Sequence, residues 1–366
     1  MRVNLVAAVN PEIPSASGVR SYVFSLAREL VSRGVEVSVL GYGREGQDST
    51  VFDFVPVADR VTMASHYTLA LARYLKRNRA IDGVIHANRA DDLLPFHFGA
   101  PNLRTLLTLH GTHGTHVRAK RGRLAATAYR VAESLSLERA LAILCVSPDT
   151  LAYFASEYPN TIDRLRMIPA GVDLDVFQIR SREVARARFH LRESEKIAVF
   201  VGRLEPEKNP ELVVKEFLWL SKRHPDALLV MVGAGRLLPQ IRDLVRSLGN
   251  RAILWEPMDQ EDLAWLLNTA DILVIGSRLE GMPTIAIEAL ASGIPLVATS
   301  VGILPMLVKD GTNGLLVEGS AHLGSLMEKA LYEVDWSSDS CRASVAMFGW
   351  DRIAPAILEV YDEILA

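Results

Sequence analysis

Short apolar runs alternate with amphipathic helical patterns along the whole of the 366-residue chain. The runs are apolar at successive positions rather than at every second one, which is typical of parallel strands covered by helices on both faces. Six runs lie before about residue 180 and six after it, so we predict two doubly wound α/β domains in series. The predicted strands are 2–8, 35–40, 83–86, 104–109, 143–146, 166–168, 197–201, 228–232, 252–255, 272–275, 295–298 and 314–317.

The join between the two predicted domains lies in the polar, glycine-containing stretch 170–182. The first domain is therefore expected over residues 1–175 and the second over 176–348, with a terminal helix in 349–366. A chain of this length suits two domains of average size. Its 49% apolar and 23% charged residues are typical of a packed globular protein.

Several classes of protein are disfavoured by composition. Cys145 and Cys341 are too few for a disulfide framework, so we expect buried, reduced thiols in a cytoplasmic protein. Residues 1–9 are interpreted as a first strand rather than a signal peptide, and no run reaches the roughly 18–20 apolar residues of a membrane span. Residues 1–170 carry 20 Lys and Arg against 15 Asp and Glu, without the dense basic stripe of a nucleic-acid binder.

Two glutamates surround the start of a predicted helix in segment 271–298, DILVIGSRLEGMPTIAIEALASGIPLVA. A strand ends before Glu280, and Pro283 suits the first helical position because its missing N–H would have no partner there. The free N–H groups of a helix start form an anion site. Glu280 and Glu288 can then accept hydrogen bonds from different hydroxyls of one ligand. The alternative is that both are solvated surface carboxylates.

Two cations lie beside another predicted helix start, in segment 197–214. Arg203 and Lys208 follow a strand, and the Asn-Pro after Lys208 is typical of an N-cap and a first helical residue. A guanidinium and an ammonium at such a place suit a diphosphate. The alternative is that they pair at the surface with the acids of the same loop, Glu205 and Glu207.

The first half offers weaker signals. Gly18 lies in a small-residue loop, where backbone can closely approach a phosphate or a sugar. His110 follows the strand predicted at 104–109, and ligands of such sheets bind at the carboxyl ends of strands. His86 occupies a similar place, with core packing as the alternative.

The ordered set of segments resembles the retaining glycosyltransferases of family four. The two glutamates match the E-x7-E pattern of that family, and many ordered matches are more specific than any one motif. The matching segments are IDGVIHAN at 81–88, LHG at 109–111, VSPDTLAYF at 146–154, IPAGVDLDVF at 168–177, FVGRLEPEK at 200–208, VMVGAG at 230–235, EGMPTIAIEALASGIPLVAT at 280–299 and DGTNGLLV at 310–317.

The resemblance implies the GT-B fold, with two Rossmann-like domains facing a central cleft and residues 349–366 crossing back to the first domain. It implies transfer of a sugar from a UDP- or GDP-sugar to an acceptor hydroxyl of a glycan, a lipid-linked saccharide or a small molecule. No metal ion or cofactor is expected, since the nucleotide sugar is itself a substrate.

The resemblance also implies roles for individual residues. His110 and Glu280 are the expected catalytic residues, next to the transferred sugar, and Glu288 is expected to bind the ribose. Arg203 and Lys208 are expected to neutralise the departing diphosphate. The other expected donor-binding residues are Gly18, Met258 (by backbone contact with the base), Gly281, Met282, Pro283 and Thr284.

The sequence departs from the family pattern in two loops. Ser17-Gly18 stands where two glycines are common, and Gly302-Ile303 followed by Met306 stands where two glycines and a glutamate are common. These departures concern loop shape and the donor sugar more than the reaction class. The alternatives are a GT-B-fold sugar-nucleotide epimerase or phosphorylase, and a non-catalytic sugar-nucleotide-binding protein.

Three further motifs are predicted not to be binding sites. GYGREG at 41–46 fits a dinucleotide pattern, but the strand-like QDSTVFDFV follows it instead of a helix. The D-x-D at 173–175 is expected to stabilise a turn. His110, His113 and His116 are interleaved with Gly and Thr, which predicts a flexible loop rather than a zinc site.

Segment 116–139 is rich in basic residues. One interpretation is a basic amphipathic helix that contacts anionic lipid at the inner face of a membrane. The other is a solvated helix face. The cations concerned are Arg118, Lys120, Arg121, Arg123, Arg130 and Arg139.

Overall fold

The structure, a computed structural model, describes residues 1–12, 18–44, 51–61, 63–78, 81–111, 113–319 and 322–366. Side chains are described for these residues except 64 and 113–125. The chain forms two compact units. Most of the first 171 residues form the first unit together with Trp350–Ala366, and the continuous part of the second unit is Val172–Gly349.

The first unit contains a parallel sheet with strand order β3-β2-β1-β4-β5-β6-β7. Its seven strands, counted over the described residues, exceed the six that were predicted, because the segment judged only strand-like forms edge strand β3. The strands are β1 (Arg2–Val6), β2 (Glu36–Gly41), β3 (Asp53–Pro56), β4 (Val84–Ala87), β5 (Arg104–Leu109), β6 (Ala142–Cys145) and β7 (Leu165–Met167).

Helices connect these strands. They are α1 (Gly18–Ser32), α2 (Ala64–Arg77), α3 (Ala90–Gly99), α4 (His113–Arg139), α5 (Pro148–Glu157) and a 3-10 turn at Pro159–Arg164. The flexible loop predicted around His113 and His116 is wrong, since both lie in the first turns of α4. Strand β4 is buried along its length, which explains its continuous apolar sequence.

The terminal helix α14 (Trp350–Leu365) belongs to the first unit. Its buried residues recur at helical spacing, so that one face packs on the unit. Trp350 covers Gly171, where an added Cβ would lie 2.4 Å from the indole ring. The glycine thus allows the helix to start close to the end of the first unit's main segment.

The second unit contains a parallel sheet of six strands within the described residues, in the order β10-β9-β8-β11-β12-β13. All six predicted strands of this half are present, with ends shifted by at most one residue. The strands are β8 (Lys196–Val201), β9 (Ala227–Val232), β10 (Ala252–Trp255), β11 (Ile272–Ile275), β12 (Leu296–Thr299) and β13 (Gly314–Val317).

The helices of the second unit cover both faces of this sheet and enclose a core rich in Leu and Val. They are α6 (Arg182–Arg188), α7 (Pro210–Ser221), α8 (Leu238–Ser247), α9 (Gln260–Leu267), α10 (Thr284–Ala291), α11 (Leu304–Leu307), α12 (Leu323–Tyr332) and α13 (Ser338–Ala343), with 3-10 turns at Gly249–Arg251 and Ala346–Phe348.

Two smaller predictions are confirmed. Cys145 and Cys341 are free and buried. Asp173 accepts hydrogen bonds at 3.1 Å from the backbone N–H groups of Asp175 and Val176, so it stabilises a turn. Among the described residues, no helix is both long and apolar enough to cross a membrane.

Candidate active site

The loops that follow β8 and β9 are fastened together at the carboxyl edge of the second sheet. An added Cβ on Gly233 would lie 2.0 Å from the carbonyl oxygen of Gly202, so only glycine permits this approach. The N–H of Leu204 donates to the carbonyl of Ala234 at 2.9 Å. The β8 loop, which carries both predicted phosphate-binding cations, is therefore held in one conformation by its neighbour.

Lys208 and Glu280 form the central ion pair of this edge. The Lys208 ammonium donates to both carboxylate oxygens of Glu280, at 2.6 Å each. Ser277 Oγ also donates to Glu280 Oε1 at 2.6 Å, and the Ser277 carbonyl accepts from Thr299 Oγ1 at 2.6 Å. The side chains of Lys208 and Glu280 are 22% and 6% exposed. The pair thus joins the loops after β8 and β11 and leaves the ammonium open to one side.

Arg203 is held less firmly than Lys208. Its guanidinium pairs with Glu207 at 3.1 Å, and its side chain is 46% exposed. The expected surface pairing therefore occurs for Arg203, while Lys208 pairs across loops instead. Because surface ion pairs contribute only about 0–1 kcal/mol, this contact is readily exchanged for one with an anionic ligand.

Asn209 precedes α7 as predicted, with Pro210 as the first helical residue. Its side chain, however, makes no capping hydrogen bond, and its backbone is left-handed with φ 51°. Asn tolerates this conformation better than most residues. The predicted role of its side chain as a cap is therefore wrong, and its left-handed turn lies directly after Lys208.

Helix α10 starts one residue later than predicted. Pro283 is the N-cap, with φ −71° and ψ 102°, and Thr284 is the first helical residue. The rigid ring therefore shapes the entry into the helix rather than its first turn. The free N–H groups of the helix start therefore begin at Thr284, and they do not include that of Ala286, which donates to the carbonyl of Pro283 at 3.0 Å.

Glu288 is buried in the second turn of α10. Burial raises the pKa of its carboxyl to about 7, and a hydrogen bond with Thr284 opposes part of that shift. A carboxyl group in this setting is adapted to accept hydrogen bonds from hydroxyl groups that arrive with a ligand.

Gly302 supports the loop that carries Glu280. Its φ of +60° lies in the left-handed region, and an added Cβ would lie 2.6 Å from the carbonyl oxygen of Gly281. The next residue, Ile303, donates its N–H to that same carbonyl at 3.1 Å. This loop departs from the family pattern in having one glycine where two are common. That one glycine, Gly302, is enough to let the loop pack against the loop of Glu280.

The other predicted donor-binding residues differ in how far they are buried. Met258 follows β10 and is half-buried, and Met282 is buried. Gly18 is the exposed first residue of α1. Of the predicted donor residues in the second unit, the structure brings together Lys208, Glu280 and its loop, and Glu288 on the adjoining helix.

In the first unit, His110 lies directly after β5, as predicted, and its ring is positioned by two neighbours. Its Nε2 is 3.0 Å from Asn88 Oδ1, so the ring donates this hydrogen bond to the amide oxygen. The ring also meets Tyr22 edge to face, at 4.8 Å between centroids. Asn88 follows β4, the strand next to β5, and so reaches His110 from the neighbouring strand end.

A buried hydrogen-bonded chain supports Tyr22. Its hydroxyl bonds to Thr108, whose Oγ1 is 2.6 Å from His86 Nε2. His86 Nδ1 is in turn 2.6 Å from the hydroxyl of Tyr361 on α14. Burial, and secondarily His110, lowers the pKa of His86 to about 3, so its ring is neutral. The packing interpretation of His86 is therefore correct.

Ser277, Asn88 and Gly302 are site residues that were not assigned from the sequence. Ser277 and Asn88 each follow a strand, and this position was a usable signal. Their partners were not predictable, because hydrogen bonds between loops of different strands depend on sheet order.

Some predictions fall outside the described structure. The dinucleotide-like motif at 41–46 and the loop before Gly18 extend into residues that are not described. The same holds for the side chains of His113, His116 and the basic residues up to position 125. Among the side chains that are described, no group of three or more His, Cys, Asp or Glu is arranged to hold a metal ion.

Comparison with known proteins covers both halves of the chain. The family model "Glycosyltransferase Family 4" matches residues 16–176, and "Glycosyl transferases group 1" matches residues 181–332. D-inositol 3-phosphate glycosyltransferase of Mycobacteroides abscessus is 29% identical over 403 aligned positions, which cover 100% of this chain and 89% of the relative.

Two solved structures are similar over their full length. Sucrose-phosphate synthase of Thermosynechococcus elongatus has a TM-score of 0.86 at 23% identity, covering 100% of this chain and 99% of that one. HepE of Anabaena in complex with UDP-glucose has a TM-score of 0.79 at 16% identity, covering 99% and 100%. At these identities the similarity concerns the fold.

The two doubly wound parallel sheets and these neighbours of known structure confirm the predicted α/β fold class, GT-B. Because family models match both halves, the chain belongs to the glycosyltransferases of family four. It is therefore a glycosyltransferase.

Proposed function

We propose that the protein is a retaining glycosyltransferase that moves a sugar from a UDP- or GDP-sugar to an acceptor hydroxyl. The observation that carries this proposal is the double contact of Lys208 with Glu280 at 2.6 Å, between the ends of two neighbouring strands. A cation fixed in this way can bind a diphosphate oxygen, while the carboxylate accepts from a sugar hydroxyl.

Catalysis then rests on stabilisation of the leaving group. The bond between the sugar anomeric carbon and the diphosphate oxygen breaks, and a bond from the acceptor oxygen forms on the same face of the sugar. The acceptor proton passes to an oxygen of the departing diphosphate. Lys208 and Arg203 stabilise the negative charge that develops there, together with the N–H groups at the start of α10. No metal ion is required in this scheme.

The remaining predicted residues have supporting roles in the proposal. Glu288 accepts hydrogen bonds from the ribose, which its burial on α10 supports. His110 contacts the donor sugar, and its contacts with Asn88 and Tyr22 support a fixed ring orientation. Met258, Gly18 and the Gly281–Thr284 segment complete the donor contacts.

The first substrates to test follow from the relatives. HepE was solved with UDP-glucose, so UDP-sugars are the first donors, followed by GDP- and ADP-sugars. Inositol monophosphates are the first acceptors, because curated relatives are named D-inositol 3-phosphate glycosyltransferases. Glycans and lipid-linked saccharides are the next acceptors.

The proposal is tested by measuring nucleoside diphosphate release and the configuration of the product by NMR. We expect the anomeric configuration of the donor to be kept, and activity to survive EDTA. Glu280→Ala should abolish turnover, and Glu288→Ala should weaken donor binding. Inversion at the anomeric carbon, wild-type turnover of Glu280→Ala, or loss of activity in EDTA would each contradict the corresponding part.

Contact with an anionic membrane is a further part of the proposal. Helix α4 forms over the predicted segment, and its described part exposes Val131 and Leu135 beside Arg130. The exposed apolar pair supports contact with a lipid surface, where Arg130, now paired with Glu157, can exchange that partner for a lipid phosphate. Flotation with phosphatidylglycerol vesicles should recover the protein, whereas phosphatidylcholine vesicles should not. Equal recovery with both lipids would reject the electrostatic contact.

A further inference from the structure

A cavity of about 420 Å³ lies at the amino end of β5, in the first unit. Its size is within the roughly 300–1,000 Å³ typical of small-molecule sites. His110 follows the opposite end of the same strand, and six residues of strand span about 20 Å. The cavity is therefore separate from the candidate active site.

Two arginines give the cavity a positive lining. Arg104 is the first residue of β5, and Arg139 is the last residue of α4. The Arg139 guanidinium donates a hydrogen bond to the carbonyl of His97 at 3.0 Å. This bond fixes the orientation of the guanidinium. Over the described side chains, neither arginine pairs with a carboxylate. Two uncompensated guanidinium groups in one concavity favour an anion.

His97 lies in the wall of the cavity, where its ring serves as a local probe. It lines the cavity and is 6% exposed, yet neither ring nitrogen has a hydrogen-bond partner. Burial, and secondarily the charge of Arg139, lowers the pKa of His97 to about 4, so the ring is neutral. A neutral ring has one donor and one acceptor, and leaving both unsatisfied in a buried place is unfavourable.

We propose that this cavity binds the phosphate group of a soluble, phosphorylated small molecule. The guanidinium groups of Arg104 and Arg139 hold the phosphate oxygens, next to the buried ring of His97. The remaining volume accommodates a polar body of about monosaccharide size, which meets the Asn102 and Thr105 side of the lining.

The test follows the imidazole signals of His97 by NMR in the full-length protein, assigned with a His97→Gln variant. Inorganic phosphate and glucose 6-phosphate are titrated against sodium chloride of equal ionic strength. We expect saturable shifts of the His97 signals with both phosphates and none with chloride. Because the signal is local, phosphate bound near Lys208 does not contribute to it.

Variants decide which residues hold the anion. The side chain of Arg104 makes no hydrogen bond with the described residues, so Arg104→Gln should fold normally. It should raise the half-saturating phosphate concentration about tenfold, because a charged, two-pronged contact is lost. Arg77→Gln, at an exposed arginine at the end of α2, is the matched control and should leave the titration unchanged.

Three outcomes would overturn the proposal. The His97 signals remain unmoved by either phosphate, or Arg104→Gln titrates like wild type. The third is a response only to phosphatidylglycerol vesicles and not to soluble phosphates, which would assign the cavity to a lipid headgroup instead.

Discussion

Burial changes the acid–base chemistry of Glu288 and thereby ties stability to pH. Its pKa is about 7 in the folded chain, against 4.5 for an unperturbed glutamate. The folded state therefore holds its proton more tightly than the unfolded state. The stability that this proton provides is complete below pH 4.5 and is lost as the pH rises through 7.

Glu288→Gln should remove this pH dependence. Between pH 5 and pH 8, wild type should lose about 2–3 kcal/mol of unfolding free energy relative to the variant, since one pKa unit corresponds to about 1.4 kcal/mol. Urea unfolding followed by circular dichroism at the two pH values measures this difference. Glu256→Gln, at an exposed glutamate, is the control. Parallel pH profiles for Glu288→Gln and wild type would show that the carboxyl ionises normally in the fold.

Asn88 controls a single ring rather than overall stability. Because Asn88 Oδ1 lies 3.0 Å from Nε2 of His110, we expect the ring to carry its proton on Nε2. Asn88→Leu should produce a mixture of tautomers, visible in the ¹⁵N shifts of the imidazole. It should also lower turnover about five- to tenfold, as expected for one lost hydrogen bond. Asn160→Leu, at an exposed position, is the control. Unchanged ¹⁵N shifts would mean that Asn88 does not set the tautomer.

At the scale of elements, the segment between β12 and β13 shows how a backbone conformation and a close approach act together. Gly302 and Gly311 both have left-handed φ values, +60° and +70°. An added Cβ on Gly302 would collide with the loop of Glu280, whereas none of the atoms considered lies within 4 Å of one on Gly311. Substitution of Gly311 therefore tests backbone strain alone, whereas substitution of Gly302 tests backbone strain together with a steric clash.

Gly311→Ala should cost about 1–2 kcal/mol of unfolding free energy through its φ alone, and should leave donor binding unchanged. Gly302→Ala should cost more, and should weaken nucleotide-sugar binding at least about tenfold by displacing the loop of Glu280. Thermal unfolding and calorimetric titration measure the two effects. Equal loss of donor binding in both variants would show that the contact with Gly281 is unimportant.

The sequence predicted most elements because buried parallel strands have a strong apolar pattern. The central strands of the second sheet follow this rule, and its partly buried edge strands β10 and β13 still have short apolar runs. Strand β3 is also a partly buried edge strand, but it begins with Asp53 and was left out. Helix α4 was hidden in part by Gly111 and Gly114, which favour loops locally. Tertiary packing of α4 against α3 outweighs that preference.

The site was predictable in part for similar reasons. Positions after strands indicated Lys208, Glu280 and His110, because topology gathers strand ends. Which partner each side chain meets was not predictable. Lys208 pairs with Glu280 rather than with the acids of its own loop, and an unusual left-handed turn at Asn209 follows it. Such a turn has little sequence signal beyond the preference of Asn for it.

At the scale of the whole molecule, the two units differ in how the chain supplies them. The sheet, helices and core of the second unit all come from the continuous segment Val172–Gly349. The first unit needs Trp350–Ala366 as well, although this segment follows the second unit in sequence. Helix α14 buries Trp350 and Tyr361 in the first unit, and Tyr361 is the partner of His86.

This difference predicts unequal behaviour of fragments. Residues 172–349 expressed alone should fold and unfold cooperatively in urea. Residues 1–171 alone should not unfold cooperatively, because they lack the seven buried residues of α14. Each large apolar side chain that is buried contributes about 1.5–3 kcal/mol, against a typical unfolding free energy of about 5–15 kcal/mol. Cooperative unfolding should return when residues 350–366 are joined to residues 1–171 through a flexible Gly-Ser linker. A Tyr361→Phe version of this linked fragment should be less stable, because His86 loses its hydrogen-bond partner. Cooperative unfolding of residues 1–171 without α14 would show that the helix is dispensable for the first unit.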